Sequence, residues 1–136
     1  MQYKGKDLPS FRCINLRSGQ EEGLEQYIDS LVILNIWATW CPPCRREMPE
    51  LDKLQREYKG KMVVIAVSDE SAKTVADFNA KNAFSYPTAT FTSTNELIES
   101  INTRPVSILL VKGKVKDIVI GARGYSFFRD WVKSYL

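Results

Sequence analysis

The sequence predicts a three-layer α/β domain, with a central mixed sheet and helices on both of its faces. Apolar runs with β propensity alternate along the chain with amphipathic helical patterns, and no repeat, low-complexity tract or linker interrupts them. The run from Leu31 to Trp37 is apolar on both faces, as in a strand at the middle of a covered sheet. Because 136 residues are enough for one buried core, we expect a single domain over residues 1–136.

The first third of the chain predicts two strands and a helical turn. Ser10 to Leu16 is typical of a short strand with Phe11 and Cys13 on one face. Glu22 to Ser30 predicts a brief helical turn before the central strand at 31–37. Cys13 is therefore expected in the core, where a free cysteine behaves as a small hydrophobic residue; a regulatory or third redox role is the alternative.

The middle of the chain predicts a right-handed β-α-β unit. A helical pattern runs from Pro42 to about Tyr58, and Pro49 should bend this helix because its ring removes a backbone donor. Met62 to Val67 predicts a second buried strand. Ser71 to about Asn82 predicts a helix whose inward side chains are Ala72, Val75, Ala76 and Phe78.

The last third of the chain predicts a short helix, a hairpin and a C-terminal helix. Ser93 and Glu96 have the spacing of a capping box, which would open a short helix. Val106 to Val111 and Val115 to Gly121 flank Lys112-Gly113-Lys114 as an antiparallel hairpin. A final apolar stripe at helical spacing predicts a helix that covers a sheet face: Phe128, Trp131, Val132 and Tyr135.

Charge and hydropathy argue against a nucleic-acid-binding protein and against a membrane-spanning one. The net charge of +3 is mild and its lysines and arginines are scattered, so we expect no nucleic-acid partner. No apolar stretch approaches the roughly 20 residues that span a bilayer, and residues 1–6 lack the design of a secretory leader. Either the chain works in the cytoplasm, or a leader or lipid anchor is absent from this sequence.

The absence of histidine excludes further chemistry, because it removes imidazole as a general base and as a metal ligand. Cys-His proteases and metal sites built from Cys and His cannot form. A zinc site needs four ligands, and only Cys13 remains beside the close pair Cys41 and Cys44. We therefore expect no metal and no cofactor.

The most informative motif is Trp-Ala-Thr-Trp-Cys-Pro-Pro-Cys at residues 37–44, between the predicted central strand and the helix that follows. Cys41 is thus placed at a helix N-terminus, where the dipole and unpaired backbone donors stabilise a thiolate. A Cys-x-x-Cys pair there can close a small disulfide between an exposed first sulfur and a second one held a turn further in. We predict thiol-disulfide exchange, with Cys41 as the nucleophile and Cys44 as the resolving thiol.

Two prolines limit how strongly the Cys41 thiolate is expected to be stabilised. Pro42 and Pro43 lack the backbone N–H groups that could otherwise have faced the Cys41 sulfur, so the thiolate should be only modestly stabilised. Since a more stable thiolate makes a stronger oxidant, the pair should be weakly oxidising at most and work as a reductant. A Cys41 pKa below about 5, far from the roughly 8.5 of a free thiol, would contradict this.

The segment Leu34-Asn-Ile-Trp-Ala-Thr-Trp-Cys-Pro-Pro-Cys-Arg-Arg-Glu-Met-Pro-Glu-Leu51 closely resembles the TlpA/ResA-like branch of thioredoxin-fold, extracytoplasmic thiol-disulfide oxidoreductases. The resemblance is specific over residues 31–54, recognisable over 11–121 and weak over 82–103. It implies a thioredoxin-like fold, a location outside the cytoplasm, and cysteine-containing client proteins, often apocytochrome c before haem attachment. It also implies a membrane thiol donor that recharges the pair. We expect the chain to be a monomer.

The resemblance also implies a proton acceptor. Thioredoxins usually have a buried aspartate where this chain has Asn35, whose amide cannot titrate. Glu47 lies three residues after Cys44, and the branch matches it with a glutamate near the active site. We therefore expect Glu47 to accept the Cys44 proton. The alternative is a solvated glutamate favoured by the helix dipole.

Client binding is assigned to two loops. Its candidate residues are Trp40, Pro42 and Pro43 beside the sulfurs, and Thr103, Arg104 and Pro105 before a late strand. Trp40 either shields the sulfurs or contacts clients. Pro105 matches the cis-proline of the thioredoxin fold, and a cis bond there would leave Arg104 and Thr103 free to pair with an extended client peptide.

Two other classes of function are alternatives. A thiol peroxidase of the peroxiredoxin type places Pro-x-x-x-Thr-x-x-Cys around its reactive cysteine, and neither Pro nor Thr falls in register before Cys41. A non-enzymatic thioredoxin-like binding module is the other alternative. If it were a metallochaperone that delivers copper, it would need histidine or further sulfur ligands near the pair.

Overall fold

The computed structural model describes residues 3–136. The strands are β1 (Arg12–Asn15), β2 (Glu21–Gly23), β3 (Leu31–Ile36), β4 (Val63–Ser68), β5 (Thr88–Ser93), β6 (Val106–Val111) and β7 (Lys114–Ile120). The helices are α1 (Pro42–Glu57), α2 (Ala72–Lys81), α3 (Glu96–Ser100) and α4 (Tyr125–Lys133), and a 3-10 turn spans Leu24–Tyr27. The strands form one mixed sheet in the order β2-β1-β5-β4-β3-β6-β7. The predicted α/β class is confirmed.

The central strand β3 is buried along its whole length, as predicted. It runs parallel to β4 and antiparallel to β6. Ile33 faces a core that includes residues of α1 and α4, whereas Leu34 faces a second core that includes residues of α3. Burial of each such side chain stabilises the fold by roughly 1.5 to 3 kcal/mol, so a strand that is apolar on both faces belongs between two helical layers.

Strand β5 is missed by the sequence reasoning. It pairs in parallel with β4 and antiparallel with β1, and so joins the two halves of the sheet. Its threonines hide the apolar pattern of a strand, yet Thr88 and Thr90 are buried. The neighbouring strands thus decide this element more than its own composition does.

The predicted capping box at Ser93 is wrong. Ser93 pairs with Arg12 as the last residue of β5, so its backbone belongs to the sheet. The Asn95 side chain caps α3 instead, by accepting a hydrogen bond from the Ile98 N–H at 2.8 Å. An asparagine serves this role as well as a serine does, because its short side chain carries an oxygen acceptor.

Three smaller predictions are also corrected. The segment predicted as a helical turn begins as strand β2, because Glu21–Gly23 pairs with β1. Ala76 is exposed, since the inward stripe of α2 is narrow and consists mainly of Val75 and the half-buried Phe78. Tyr135 follows the end of α4 and is 44% exposed, so it does not extend the stripe of that helix.

Strands β6 and β7 form the predicted antiparallel hairpin. Lys112 and Gly113 make its turn with φ of 50° and 78°. A two-residue turn of this kind needs positive φ at both central residues, a conformation that glycine adopts without a steric penalty.

Pro49 lies within the continuous helix α1, and the bend expected there stays a prediction.

One edge of the sheet gathers the loops that carry the site. Strand β3 ends at Ile36 and runs parallel to β4, so the loops that follow these two strands leave the sheet at the same edge. Strand β6 runs antiparallel to β3 and its first residue, Val106, pairs with Ile36. The loops that carry Cys41, Glu70 and Pro105 therefore meet at this edge.

Candidate active site

Cys41 and Cys44 form a disulfide at the N-terminus of α1, with their Cα atoms 5.3 Å apart. Cys41 is the N-cap residue and keeps an extended backbone, while Pro42 and Pro43 occupy the first helical positions. Proline is well suited to this place because the first N–H groups of a helix have no partner within it. The predicted location of Cys41 at a helix N-terminus is confirmed.

The sequence reasoning describes the first sulfur as exposed, and the structure corrects this. Cys41 is 3% exposed and Cys44 is 1% exposed, and both belong to the core that contains α1 and α4. The disulfide is therefore covered by its surroundings in the oxidised protein. Any thiol or disulfide that exchanges with this pair must therefore approach an almost buried sulfur.

Among residues 3–136, one backbone N–H donates to the Cys41 sulfur. The Cys44 N–H donates to Cys41 Sγ at 3.3 Å, and the two intervening residues are prolines without an N–H. One remaining donor is consistent with the modest thiolate stabilisation expected from the sequence, which stays a prediction.

Glu47 lies one turn after Cys44 on the inward face of α1 and is only 2% exposed. The alternative of a solvated glutamate is therefore wrong. Its Oε1 accepts a hydrogen bond from Asn35 Nδ2 at 2.9 Å, and its Oε2 accepts one from the Arg123 N–H at 2.7 Å. Burial raises the pKa of Glu47 to about 7, and these two hydrogen bonds partly oppose that effect.

Asn35 holds the carboxylate of Glu47 in place from the central strand. The Asn35 amide is 1% exposed and donates to Glu47 Oε1 and, at 3.0 Å, to Ser107 Oγ on β6. Sequence reasoning misses Ser107 and Arg123. A serine inside the apolar strand β6 is a usable signal, whereas Arg123 contributes a backbone N–H that any residue other than proline would supply.

The loop before β6 has the predicted cis peptide bond between Arg104 and Pro105. The Pro105 carbonyl accepts the Gly121 N–H at 2.8 Å, which fixes the loop to the end of β7. Among residues 3–136, the Arg104 N–H and C=O make no backbone hydrogen bond. The Thr103 carbonyl, by contrast, accepts Arg104 Nη1 at 3.0 Å, and the expectation that Thr103 and Arg104 pair with a client peptide stays a prediction.

The Arg104 side chain folds back onto its own loop and is 13% exposed. Besides the Thr103 carbonyl, its guanidinium contacts Asp69 Oδ2 at 3.3 Å. The arginine therefore holds the loop in place, and little of its side chain is accessible.

The two tryptophans beside the motif differ in burial. Trp37 is fully buried and packs against Phe78. Trp40 is 68% exposed, Pro42 is exposed and Pro43 is half-buried. The exposure of Trp40 favours the alternative in which its indole contacts clients, because little of its surface is used for packing.

Cys13 lies in the other core and is 1% exposed. Burial raises the pKa of its thiol to about 11, and the charge of Glu22 adds to this effect. The expectation of a buried, hydrophobic cysteine is confirmed, and the alternative of a third redox thiol has no support from this environment.

A disulfide-bonded Cys-x-x-Cys pair at a helix N-terminus, a cis-proline loop at the same edge of the sheet and a mixed sheet between helical layers together define a thioredoxin-fold thiol-disulfide oxidoreductase. The model of the AhpC/TSA family matches residues 4–105, and the chain belongs to that family. Within it, the chain is a thiol-disulfide oxidoreductase of the ResA and DsbE type, with Cys41 and Cys44 as its redox pair.

Individual relatives agree with this placement. The chain is 36% identical over 121 residues to a thiol-disulfide oxidoreductase ResA of Bacillus cereus, covering 86% of this chain and 69% of ResA. A putative thiol:disulfide interchange protein DsbE from Chlorobium tepidum has a TM-score of 0.85 at 25% identity and 96% coverage of both chains. The exposed lipoprotein thioredoxin Etrx1 of Streptococcus pneumoniae has a TM-score of 0.80 at 20% identity, covering 93% of this chain and 99% of Etrx1, and shows the shared fold.

Among residues 3–136, no helix is long and apolar enough to cross a membrane.

Proposed function

We propose that this protein reduces disulfides in client proteins outside the cytoplasm, with the Cys41–Cys44 pair as the electron donor. The observation that carries the proposal is the buried Glu47, which lies one turn after Cys44 on α1 and whose pKa is raised by burial to about 7. A resolving thiol must lose its proton before it can attack, and this carboxylate is suited to receive it.

The reaction begins from the dithiol. The Cys41 thiolate attacks one sulfur of the client disulfide, a Cys41–client bond forms, and the other client sulfur leaves as a thiolate. Glu47 accepts the Cys44 proton, and the Cys44 thiolate attacks Cys41 Sγ. The Cys41–Cys44 disulfide closes, and the second client sulfur leaves with the electron pair and takes up a proton. The client is reduced by two electrons and the pair is oxidised by two.

The direction of electron flow is argued from the donors around Cys41. A strong oxidant has a well-stabilised thiolate in its reduced form. Here the Cys44 N–H is the backbone donor to Cys41 Sγ, and the prolines supply none. This arrangement favours a reductant, which a membrane thiol donor must recharge after each turnover.

The location and client are proposed from the relatives. ResA is named a thiol-disulfide oxidoreductase and Etrx1 an exposed lipoprotein. Disulfides persist in extracytoplasmic compartments, where a dedicated reductant has substrates. The resemblance to the TlpA/ResA-like branch favours apocytochrome c before haem attachment as a client, and we propose that the protein acts on it as a monomer.

Mixed-disulfide trapping and redox titration test this function together. A Cys44→Ser variant should accumulate covalent complexes with clients through Cys41, and Cys41→Ser should accumulate none. Titration against glutathione or dithiothreitol should give a potential closer to those of disulfide reductants than to those of strong oxidants. The proposal would be rejected if alkylating Cys41 left the reduction of insulin by dithiothreitol as fast as before, or if the pair titrated as a strong oxidant.

A further inference from the structure

The loop after β4 contacts both loops of the site through two adjacent carboxylates. Glu70 Oε1 accepts the Thr39 N–H at 2.7 Å, and Glu70 Oε2 accepts the Thr39 hydroxyl at 2.6 Å. The neighbouring Asp69 accepts a hydrogen bond from Arg104 Nη2 at 3.3 Å. The Asp69-Glu70 dipeptide therefore connects the turn before Cys41 with the loop before Pro105.

Thr39 is held at each of its polar groups. Besides the two bonds to Glu70, its carbonyl accepts Arg45 Nη1 at 2.7 Å. Hydrogen bonds to charged partners are stronger than those between neutral groups. Thr39 and Trp40 are the middle residues of a turn in which the Cys41 N–H donates to the Ala38 carbonyl at 3.3 Å. The backbone that presents Trp40 is therefore fixed, although the indole itself is 68% exposed.

Glu70 is in turn anchored to the sheet. Ser68 donates its hydroxyl to Glu70 Oε1 at 2.9 Å and accepts the Glu70 N–H at 3.0 Å. The Thr90 hydroxyl donates to the Glu70 carbonyl. Because Ser68 and Thr90 are buried in β4 and β5, these hydrogen bonds anchor Glu70 to the sheet.

We propose that Glu70 is a positioning residue that, together with Asp69, holds the Trp40–Cys41 turn and the Arg104–Pro105 loop as one rigid rim for docking an extended polypeptide. This rests on the proposed function, because a polypeptide client must contact both loops while its disulfide reaches Cys41. A small disulfide needs only the sulfur. Preformed geometry lowers the entropic cost of binding, so the rim should favour protein disulfides over small ones.

The test compares protein and small disulfides as substrates for the whole chain. Glu70→Ala releases Thr39, and Thr39→Val removes the hydroxyl but keeps its N–H. Both should raise KM for insulin, Glu70→Ala by about tenfold, with kcat for insulin and the rate with 5,5′-dithiobis(2-nitrobenzoate) changed less than about twofold. Glu70→Gln keeps one acceptor oxygen and should have an intermediate KM. Asp77→Asn is the matched control, since this exposed carboxylate on α2 contacts Lys73 and should leave both substrates unaffected.

Amide hydrogen exchange provides a readout that needs no client. The Thr39 N–H should exchange faster in Glu70→Ala than in the wild-type chain, while amides in β3 should not change. Equal slowing of insulin and the small disulfide in Glu70→Ala, an unchanged KM for insulin, or unchanged exchange at Thr39 would each overturn the proposal. A wild-type chain that reduces the small disulfide but not insulin would overturn the proposed function and the docking rim together. This outcome is distinct from a failure of the docking rim alone, because it is seen in the wild-type chain before any substitution is made.

Discussion

Glu47 and Arg123 are joined by a hydrogen bond of 2.7 Å from the Arg123 backbone N–H to Glu47 Oε2, which ties the first turns of α1 to the loop before α4. Asn35 donates to the other carboxylate oxygen. These bonds favour the ionised carboxylate, whereas burial favours the neutral acid; burial prevails and the pKa rises to about 7. A carboxyl group in this balance can take and return a proton near neutral pH.

Glu47→Gln is expected to move the pH dependence of insulin reduction upward. In the wild-type chain, the ionised form of Glu47, which we propose as the acceptor of the Cys44 proton, becomes populated as the pH rises through about 7. A glutamine amide cannot accept this proton, so the variant should need a pH closer to the roughly 8.5 at which a free thiol ionises. The measurement is kcat/KM from about pH 5 to about pH 9.

Glu57→Gln is the control for this prediction, because it removes a carboxylate from the far end of the same helix, where Glu57 contacts the Tyr125 hydroxyl. Its pH profile should match that of the wild-type chain. If the profile of Glu47→Gln also overlies the wild-type one, Glu47 has no part in proton transfer.

Glu47 should also make the stability of the oxidised protein depend on pH. Its pKa is raised from an ordinary 4.5 to about 7 by folding. Below the lower value the group is protonated in both states; between the two values the unfolded chain loses the proton first, so the free energy of unfolding falls as the pH rises. Above about pH 7 the loss is complete, at up to about 3 kcal/mol.

Urea unfolding at pH values below and above this window measures the effect. From the lower to the higher pH, the free energy of unfolding should fall more in the wild-type chain than in Glu47→Gln. All other titrating groups are the same in the two proteins, so the difference reports Glu47. If the stability difference between the two proteins is the same at both pH values, the carboxyl does not titrate in this window.

Asn35→Leu is expected to shift the pH dependence of insulin reduction to more alkaline pH than in the wild-type chain. The substitution removes the amide that donates to Glu47 Oε1. The ionised carboxylate is then less stabilised relative to the neutral acid, so the pKa of Glu47 rises. A hydrogen bond to a charged group contributes about 1.5 to 3 kcal/mol, which corresponds to a shift of about one to two pH units. The check is again kcat/KM for insulin across the pH range.

Ser107→Ala distinguishes this effect from a general disturbance of the core. It removes the second acceptor of the Asn35 amide and leaves the bond to Glu47 in place. Its shift should be smaller than that of Asn35→Leu. A shift of equal size would mean that packing between β3 and β6, rather than the bond to Glu47, controls the profile.

The redox pair and its framework can be predicted from sequence because their signals are local. The doubly apolar run at β3 and the Cys-Pro-Pro-Cys sequence at the start of α1 lie next to each other in the chain, and short-range patterns of this kind specify the elements that contain them. The burial of Cys41 is not local information. It depends on a core to which α4 also contributes, more than 80 residues later in the chain.

The polar contacts around the pair could not be predicted for a related reason. Asn35 and Ser107 meet because β3 and β6 are neighbours in the sheet, and Glu70 reaches Thr39 because β3 and β4 are parallel. Strand order decides these contacts, and β5, which completes that order, has a polar composition that hides it. The donor from Arg123 is a backbone group, which has no signature in the residue type.

Cys13 is expected to stay unreactive in the folded protein while the Cys41–Cys44 pair turns over. Its thiol is 1% exposed and its pKa is raised to about 11, so almost no thiolate is present near neutral pH. Iodoacetamide should modify Cys41 in the reduced, folded chain and should reach Cys13 only after unfolding. Cys13→Ala should leave the redox potential unchanged and lower the free energy of unfolding by about 1 kcal/mol, because it opens a small cavity beside Phe11. Peptide mapping of the alkylated protein checks the order of modification, and labelling of Cys13 at the rate of Cys41 would mean that this core opens in the native state.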